Sequence, residues 1–191
     1  MHKFDPSKRA RLMSDERRKE LLPLEFLTAN GLSSGMSVAD IGCGPGFFTV
    51  PAAEIVGPGG TVYAVDSEAI MVEEVKRSAP PAHVTSIHSG GCTIPLGDGS
   101  CDYALLAFIL HEAKERVPFL EEVKRIIKKE GTLLLDWEKK DEERGPPREE
   151  RIAKEEALHL MEAVGFAVEE TGNQTPSHYF LRGRKREEDP G

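Results

Sequence analysis

Val38-Ala39-Asp40-Ile41-Gly42-Cys43-Gly44-Pro45-Gly46-Phe47 is the stretch on which the reading of this chain turns. A short apolar run ends in an acid, and glycines follow at alternate positions, Gly42, Gly44 and Gly46. Glycine permits a tight turn and leaves the backbone bare, so a ligand can come close where a side chain would block it. Ahead of the turn, 37–41 reads as a buried strand of the parallel kind. After it, 47–56 reads as a helix, with Pro51 tolerated near the first turn.

Outward from this turn, strands and helices alternate. Strands are expected at 61–65, 84–88, 102–110 and 132–137, and helices at 24–32, 69–78, 117–129 and 151–164. In 117–129 the apolar residues Phe119, Leu120, Val123, Ile126 and Ile127 recur at helical spacing, and Gly131 stands where a helix C-cap is expected. Segments 166–171 and 178–182 read as two closing strands, antiparallel neighbours of one another. Such alternation indicates an α/β layered sheet. Residues 1–34 read as a helical segment, either a solvated helix or a lid over a pocket. Residues 35–183 form the ligand-binding domain, and 184–191 a charged, frayed tail. The charged run 138–144 and Gly145-Pro146-Pro147 make an exposed loop.

The chain has 191 residues, enough for one domain with a sizeable core. A formal net charge of -8 argues against a dedicated nucleic-acid binder. No apolar run reaches transmembrane length, and Met-His-Lys-Phe-Asp-Pro lacks the apolar core of a signal peptide, so a cytoplasmic protein is expected. Its three cysteines, Cys43, Cys92 and Cys101, show no zinc spacing, and no metal is expected.

Two kinds of cofactor compete for the glycine turn. A nicotinamide fingerprint needs a third glycine three residues after the second, and Phe47 stands there. Asp40, just ahead of the turn, would repel a pyrophosphate and suits a cation. Asp66 closes the second strand, where an acid can accept both hydroxyls of a ribose. An acid for an ammonium, bare backbone for close approach and an acid for a ribose describe S-adenosylmethionine better than a phosphate-rich cofactor.

With these residues in place, the chain resembles the class I S-adenosylmethionine-dependent methyltransferases. Asp40-Ile41-Gly42-Cys43-Gly44-Pro45-Gly46 is similar to their first motif, and the likeness runs roughly from 35 to 137. Nearest in pattern is the small-molecule branch that includes the ubiquinone and menaquinone C-methyltransferases. There a loop like Ile94-Pro95-Leu96-Gly97-Asp98-Gly99-Ser100-Cys101-Asp102 precedes the fourth strand, and a segment like Arg125-Ile126-Ile127-Lys128-Lys129-Glu130-Gly131-Thr132-Leu133 leads into the fifth. The resemblance implies a Rossmann-like, doubly wound, seven-stranded and mostly parallel sheet with an antiparallel strand near the C-terminus. It places Asp40, Gly42, Gly44, Gly46 and the Cys43 backbone at the methionine part of the cofactor, Asp66 at the ribose and Ser67 by the adenine. Gly90 and Gly91 fall where an acid and a small residue usually meet the adenine, leaving that edge to Cys92 or to backbone. The Leu106 carbonyl would face the ammonium. The product would be S-adenosylhomocysteine.

Methyl transfer needs alignment and exclusion of water, and a general base only where the nucleophile must lose a proton. His111 and Glu112, just past the fourth strand, are the best-placed candidates for that role. Asp136 and Trp137 end the fifth strand and could also face the pocket, whereas Asp102 suits a structural hydrogen bond. His83, His88, His159 and His178 share no spacing and read as surface or satisfied strand residues. The Asn/Asp-Pro-Pro-aromatic motif of amino-methylating nucleic-acid enzymes is absent, since Leu106-Ala107-Phe108-Ile109 stands in its place. A small-molecule methyl acceptor in an apolar pocket is therefore expected, with a homo-oligomer able to supply more of the wall. The competing function is a non-catalytic S-adenosylmethionine-binding sensor or partner subunit.

Overall fold

β1 (Ser37–Ile41) lies inside the sheet, third from one edge, and the chain leaves it in two directions. In the computed structural model, which describes residues 9–186 apart from 79, 91, 92 and 130, seven strands pair in the order β3-β2-β1-β4-β5-β7-β6. β2 (Thr61–Asp66) and β3 (Val84–His88) extend to one side, each parallel to its neighbour. β4 (Tyr103–Ala107) returns to the other edge of β1 and β5 (Thr132–Trp137) follows it, again parallel. β7 (His178–Lys185) pairs antiparallel with β5 and with β6 (Phe166–Thr175), which closes the sheet. This is the doubly wound α/β architecture expected from the resemblance.

The central strands are buried on both faces, and alternate residues serve opposite sides. Val38, Tyr103, Leu105, Leu133 and Leu135 pack with Phe26 and Leu27 of α3 (Pro23–Ala29) and Ala52, Ala53 and Val56 of α4 (Thr49–Val56). Ala39, Ile41, Ala104, Leu106 and Leu134 pack with Leu120 and Val123 of α6 (Arg116–Ile126) and Ala157 and Met161 of α7 (Lys154–Ala163). α5 (Ala69–Arg77) brings Val75 against Ala64 and Cys43. Asp102 takes the structural role expected of it: its carboxylate accepts the Ser37 amide at 2.9 Å and the Lys128 ammonium at 2.7 Å.

Several boundaries differ from the sequence reading for identifiable reasons. The strand expected at 102–110 stops at Ala107, because Phe108 turns to a φ of 61° and a 3₁₀ turn follows over Leu110–Glu112. α4 starts at Thr49 rather than 47 because the glycine turn runs on through Phe48. The helix expected at 117–129 ends at Ile126, and Ile127 instead bridges to Cys101. Gly131 is therefore no helix cap. It enters β5 at φ 76°, with its carbonyl accepting the Ala104 amide at 2.7 Å. β7 continues to Lys185, so the sheet extends past the expected boundary at 183, and α7 starts at Lys154 rather than 151. The N-terminal segment begins with two short helices, α1 (Arg9–Leu12) and α2 (Asp15–Leu21). The first eight residues of the expected lid and residues 187–191 of the expected tail lie outside the described residues. Among the described residues no helix is long and apolar enough to cross a membrane.

A Cβ on Gly131 would fall 2.4 Å from the Tyr103 ring and 3.0 Å from the Asp102 carbonyl, in a backbone conformation that L-residues resist. Gly131→Ala should destabilise the fold by about 2–4 kcal/mol in urea denaturation. Gly35→Ala, where φ is also positive but nothing lies within 4 Å, should cost only about 1 kcal/mol.

Candidate functional site

A cavity of about 940 Å³ opens at the carboxyl ends of the strands, where β2 and β4 diverge on either side of β1. That is the position at which an open α/β sheet leaves a crevice. Asp40 and Ile41 from β1, Val65 and Asp66 from β2, Ala107 from β4 and Trp137 from β5 all reach it. Residues of α2 and of the 138–150 loop cover it, where Glu20 and Arg144 form an ion pair between the two coverings.

The glycine turn forms the floor. Gly42 adopts φ 72°, and a Cβ there would come within 2.7 Å of Ile109, so only glycine fits. Asp66 braces the turn, its carboxylate accepting the Gly44 amide at 2.8 Å and the Glu68 amide at 2.8 Å. Asp40 is 1% exposed and accepts the Thr49 hydroxyl at 2.6 Å. Burial pushes its carboxyl up to about 7, with Thr49 opposing and Asp66 adding to the rise. No ion pair reaches Asp40 among the described residues. A buried acid without a counter-cation, beside a turn of bare backbone, is fitted to a ligand that carries positive charge.

Opposite this floor stands a histidine held by a buried acid. His111 Nδ1 lies 2.7 Å from Asp136 Oδ1, and Asp136 also accepts the backbone amides of Trp137 at 2.8 Å and of His111 at 3.3 Å. Asp136 is 0% exposed. An acid in that place fixes the imidazole proton on Nδ1 and leaves the Nε2 lone pair available. Burial opposes charge on His111, but Asp136, then Glu112 and Glu150, outweigh it and hold the imidazole above its ordinary range.

The remaining wall is aromatic. Phe108, Trp137 and His178 stand with ring centroids 4.3–5.7 Å apart. The Arg17 guanidinium of α2 lies 4.4 Å from the Phe47 centroid and 5.0 Å from that of Phe108. Behind the wall, the buried Arg151 guanidinium donates to the carbonyls of Glu138, Arg144 and Pro146 and lies over Trp137. The 138–150 segment, expected as an exposed loop, is therefore tied down at its base.

Of the residues singled out in the sequence, Asp40, Gly42, Cys43, Asp66, Ser67, His111 and Glu112 line one cavity. Gly44 and Gly46 shape the turn but do not line it, and Gly90 also stands outside the lining. Leu106 is fully buried in the core, and Ala107, Phe108 and Ile109 form the wall beside it. Gly91 and Cys92 lie outside the described residues. His178 departs from its reading as a surface or satisfied residue: it lines the cavity, and its buried Nε2 has no partner among the described residues. Arg17 carried no sequence signal, since nothing in a run of arginines tells which one turns inward. His178 could have been suspected from its place opposite Trp137, but only once the antiparallel pairing was known.

Residues 39–135 match the family described as "Methyltransferase domain". A solved S-adenosylmethionine-dependent methyltransferase from Aquifex aeolicus is 33% identical, with a TM-score of 0.90 over 96% of this chain and 100% of that one. A demethylmenaquinone methyltransferase from Anoxybacillus flavithermus is 30% identical over 106 residues, which are 54% of this chain and 45% of the relative. An uncharacterised transposon protein from Streptomyces fradiae is 33% identical over 117 residues, 59% of this chain and 34% of its own length. The chain thus spans from about a third to under a half of the curated relatives it matches.

Because the Asp40 carboxyl is raised to about 7 in the folded protein, its contribution to stability is largest while it is protonated in the fold. That contribution is present below the unfolded pKa of about 4 and is lost as pH rises through about 7. The stability of Asp40→Asn relative to the parent protein should therefore grow from about pH 5 to pH 8, as read from urea midpoints across that range.

Proposed function

Because the chain belongs to the methyltransferase-domain family, we propose that it transfers a methyl group from S-adenosylmethionine to a small-molecule acceptor by in-line displacement, leaving S-adenosylhomocysteine. The observation that carries this reading is the Asp40 carboxyl, buried in the glycine turn without a counter-cation. A positively charged amino-acid ligand compensates that burial, whereas a dinucleotide pyrophosphate would worsen it. Asp66 holds the glycine turn through the Gly44 and Glu68 amides and borders the cavity at the end of β2, the place from which an acid meets a ribose in an open α/β sheet. Ser67 borders the adenine end, and the backbone at 107–109 borders the amino-acid end.

When bound, S-adenosylmethionine supplies an electrophilic methyl group on sulfur. The protein's own task is to orient the acceptor, exclude water and take its proton. His111 Nε2 takes that proton as general base, while Asp136 holds the ring and stabilises the imidazolium that results. Glu112, with Oε1 3.9 Å from His111 Nε2, adds negative charge beside the same nitrogen. α1, α2 and the 138–150 loop act as the lid, and the Glu20–Arg144 pair joins its two halves. The non-catalytic sensor is the reading this dyad opposes, since binding alone requires no buried acid behind a cavity histidine.

Calorimetry should show S-adenosylhomocysteine binding in preference to NAD, and labelled methyl should pass from S-adenosylmethionine into a metabolite extract. Tight binding with no labelled product would favour the sensor. On an identified acceptor, His111→Gln should lower kcat by about 10²-fold or more. Activity should rise with pH as His111 loses its proton. Asp136→Asn should move that rise to lower pH, because the charge that raises the imidazole is gone. An unchanged pH profile in Asp136→Asn would remove the dyad from the mechanism.

A further inference from the structure

The amino acid of S-adenosylmethionine carries an ammonium and a carboxylate, and Asp40 answers only the first. Under a lid, a carboxylate needs a cation or several N–H donors. Among the described residues, the Lys and Arg side chains that line the cavity are Arg11, Arg17, Lys114 and Arg144. Arg144 is engaged by Glu20, Arg11 is exposed, and Lys114 stands past the 3₁₀ turn that carries His111.

Arg17 sits over the amino-acid end. Its guanidinium lies 4.4 Å from the ring centroid of Phe47, which follows Gly46, and 5.0 Å from that of Phe108, which follows β4. The glycine turn and the backbone after β4 are the two segments that border that end. The lid also meets the turn itself: Leu12 Cδ1 stands 3.8 Å from where a Cβ on Gly44 would fall. Leu12 in turn fixes the arginine, its carbonyl accepting Arg17 Nη1 at 3.0 Å. Phe108 reaches its place at φ 61°, a conformation that side chains resist and that persists only where the surroundings impose it.

The guanidinium has donors to spare. It makes no ion pair among the described residues, and the Leu12 carbonyl is the single acceptor of its side chain. A guanidinium presents its N–H groups in a planar fork that meets a carboxylate with two parallel bonds. No Arg17 nitrogen is among the sealed, unpartnered atoms of the fold, so the remaining donors are open to the cavity. Contact with the two rings steadies the group without occupying those donors. Burial pushes it down to about 10, and Glu20, the acid that acts on it electrostatically, is held by Arg144. A charge so placed is fitted to an incoming anion.

We propose that Arg17 receives the α-carboxylate of S-adenosylmethionine, so that the cofactor's amino acid is held between Asp40 of the glycine turn and an arginine of the lid. This rests on the methyl-transfer reading of the cavity and adds to it a cofactor-binding residue that the glycine turn does not supply. The lid then reads the cofactor: α2 closes on the amino acid whether or not an acceptor is present.

Decarboxylated S-adenosylmethionine keeps the sulfonium and the ammonium and lacks only the carboxylate, so calorimetry with the two ligands, no acceptor present, probes the contact directly. The parent protein should bind S-adenosylmethionine about tenfold or more tighter than the decarboxylated form. Arg17→Met should abolish that preference by weakening S-adenosylmethionine, with the decarboxylated form changed by less than about twofold. Arg17→Lys, which keeps the charge and loses the fork, should restore part of it. An arginine that merely held the lid in place would weaken both ligands alike in Arg17→Met. That result, or a preference that survives in Arg17→Met, overturns the inference. Equal binding of the two ligands by the parent protein overturns it as well, with no variant needed. If neither ligand binds the parent protein, the cofactor reading itself falls; if both bind without preference, only the assignment of Arg17 does.

Discussion

A parallel strand buried on both faces must find a hydrogen-bonding neighbour on each edge and an apolar layer above and below. β1 meets this demand with β2 on one side and β4 on the other, and the chain must cross back over it to do so. The crossing leaves the loops after β1 and β4 pointing apart at the carboxyl edge. The glycine turn and His111 of the candidate site lie along that divide. The glycine turn is what β1 becomes when it reaches the divide, and the Phe108 turn is what β4 becomes.

Polar groups are carried into this dry edge at some expense, and the way each is compensated distinguishes scaffold from site. At this edge Arg151 is satisfied by three loop carbonyls, and at the opposite, amino edge the half-exposed Asp102 is satisfied by Ser37 and Lys128. These groups join elements. Asp136 is satisfied too, but its partner His111 faces the cavity, so its compensation is also an orientation. Asp40, Arg17 and His178 are different. Each is held by a single hydrogen bond from its side chain and keeps capacity to spare, and all three border the same space.

Much of this was legible along the chain because it is local or periodic. The apolar run ending in Asp40, the alternate glycines and the acid closing β2 are adjacent in sequence, and the backbone itself brings them together. The apolar spacing in α6 and the β-branched strands likewise report on the layer they face. Element ends were less legible. Phe108 takes a left-handed conformation that its residue type resists, and Ile127, apolar and in helical register, pairs with Cys101. In both cases tertiary contact overrode local preference.

By itself, the sequence determined the alternation of strands and helices, the position of the glycine turn at the switch between them, and the acids beside it. These follow from side-chain period and backbone permissiveness, which act over a few residues. Only the tertiary structure decided which charged groups meet. His111 and Asp136 come together because β4 and β5 run parallel and end at the same level. His178 stands against Trp137 because β7 runs antiparallel and begins where β5 stops. Arg17, one of the two arginines of α2, is set inward over two aromatic rings. Pairing between distant segments leaves no mark on local composition, so the aromatic wall of the cavity exists only once the sheet has closed.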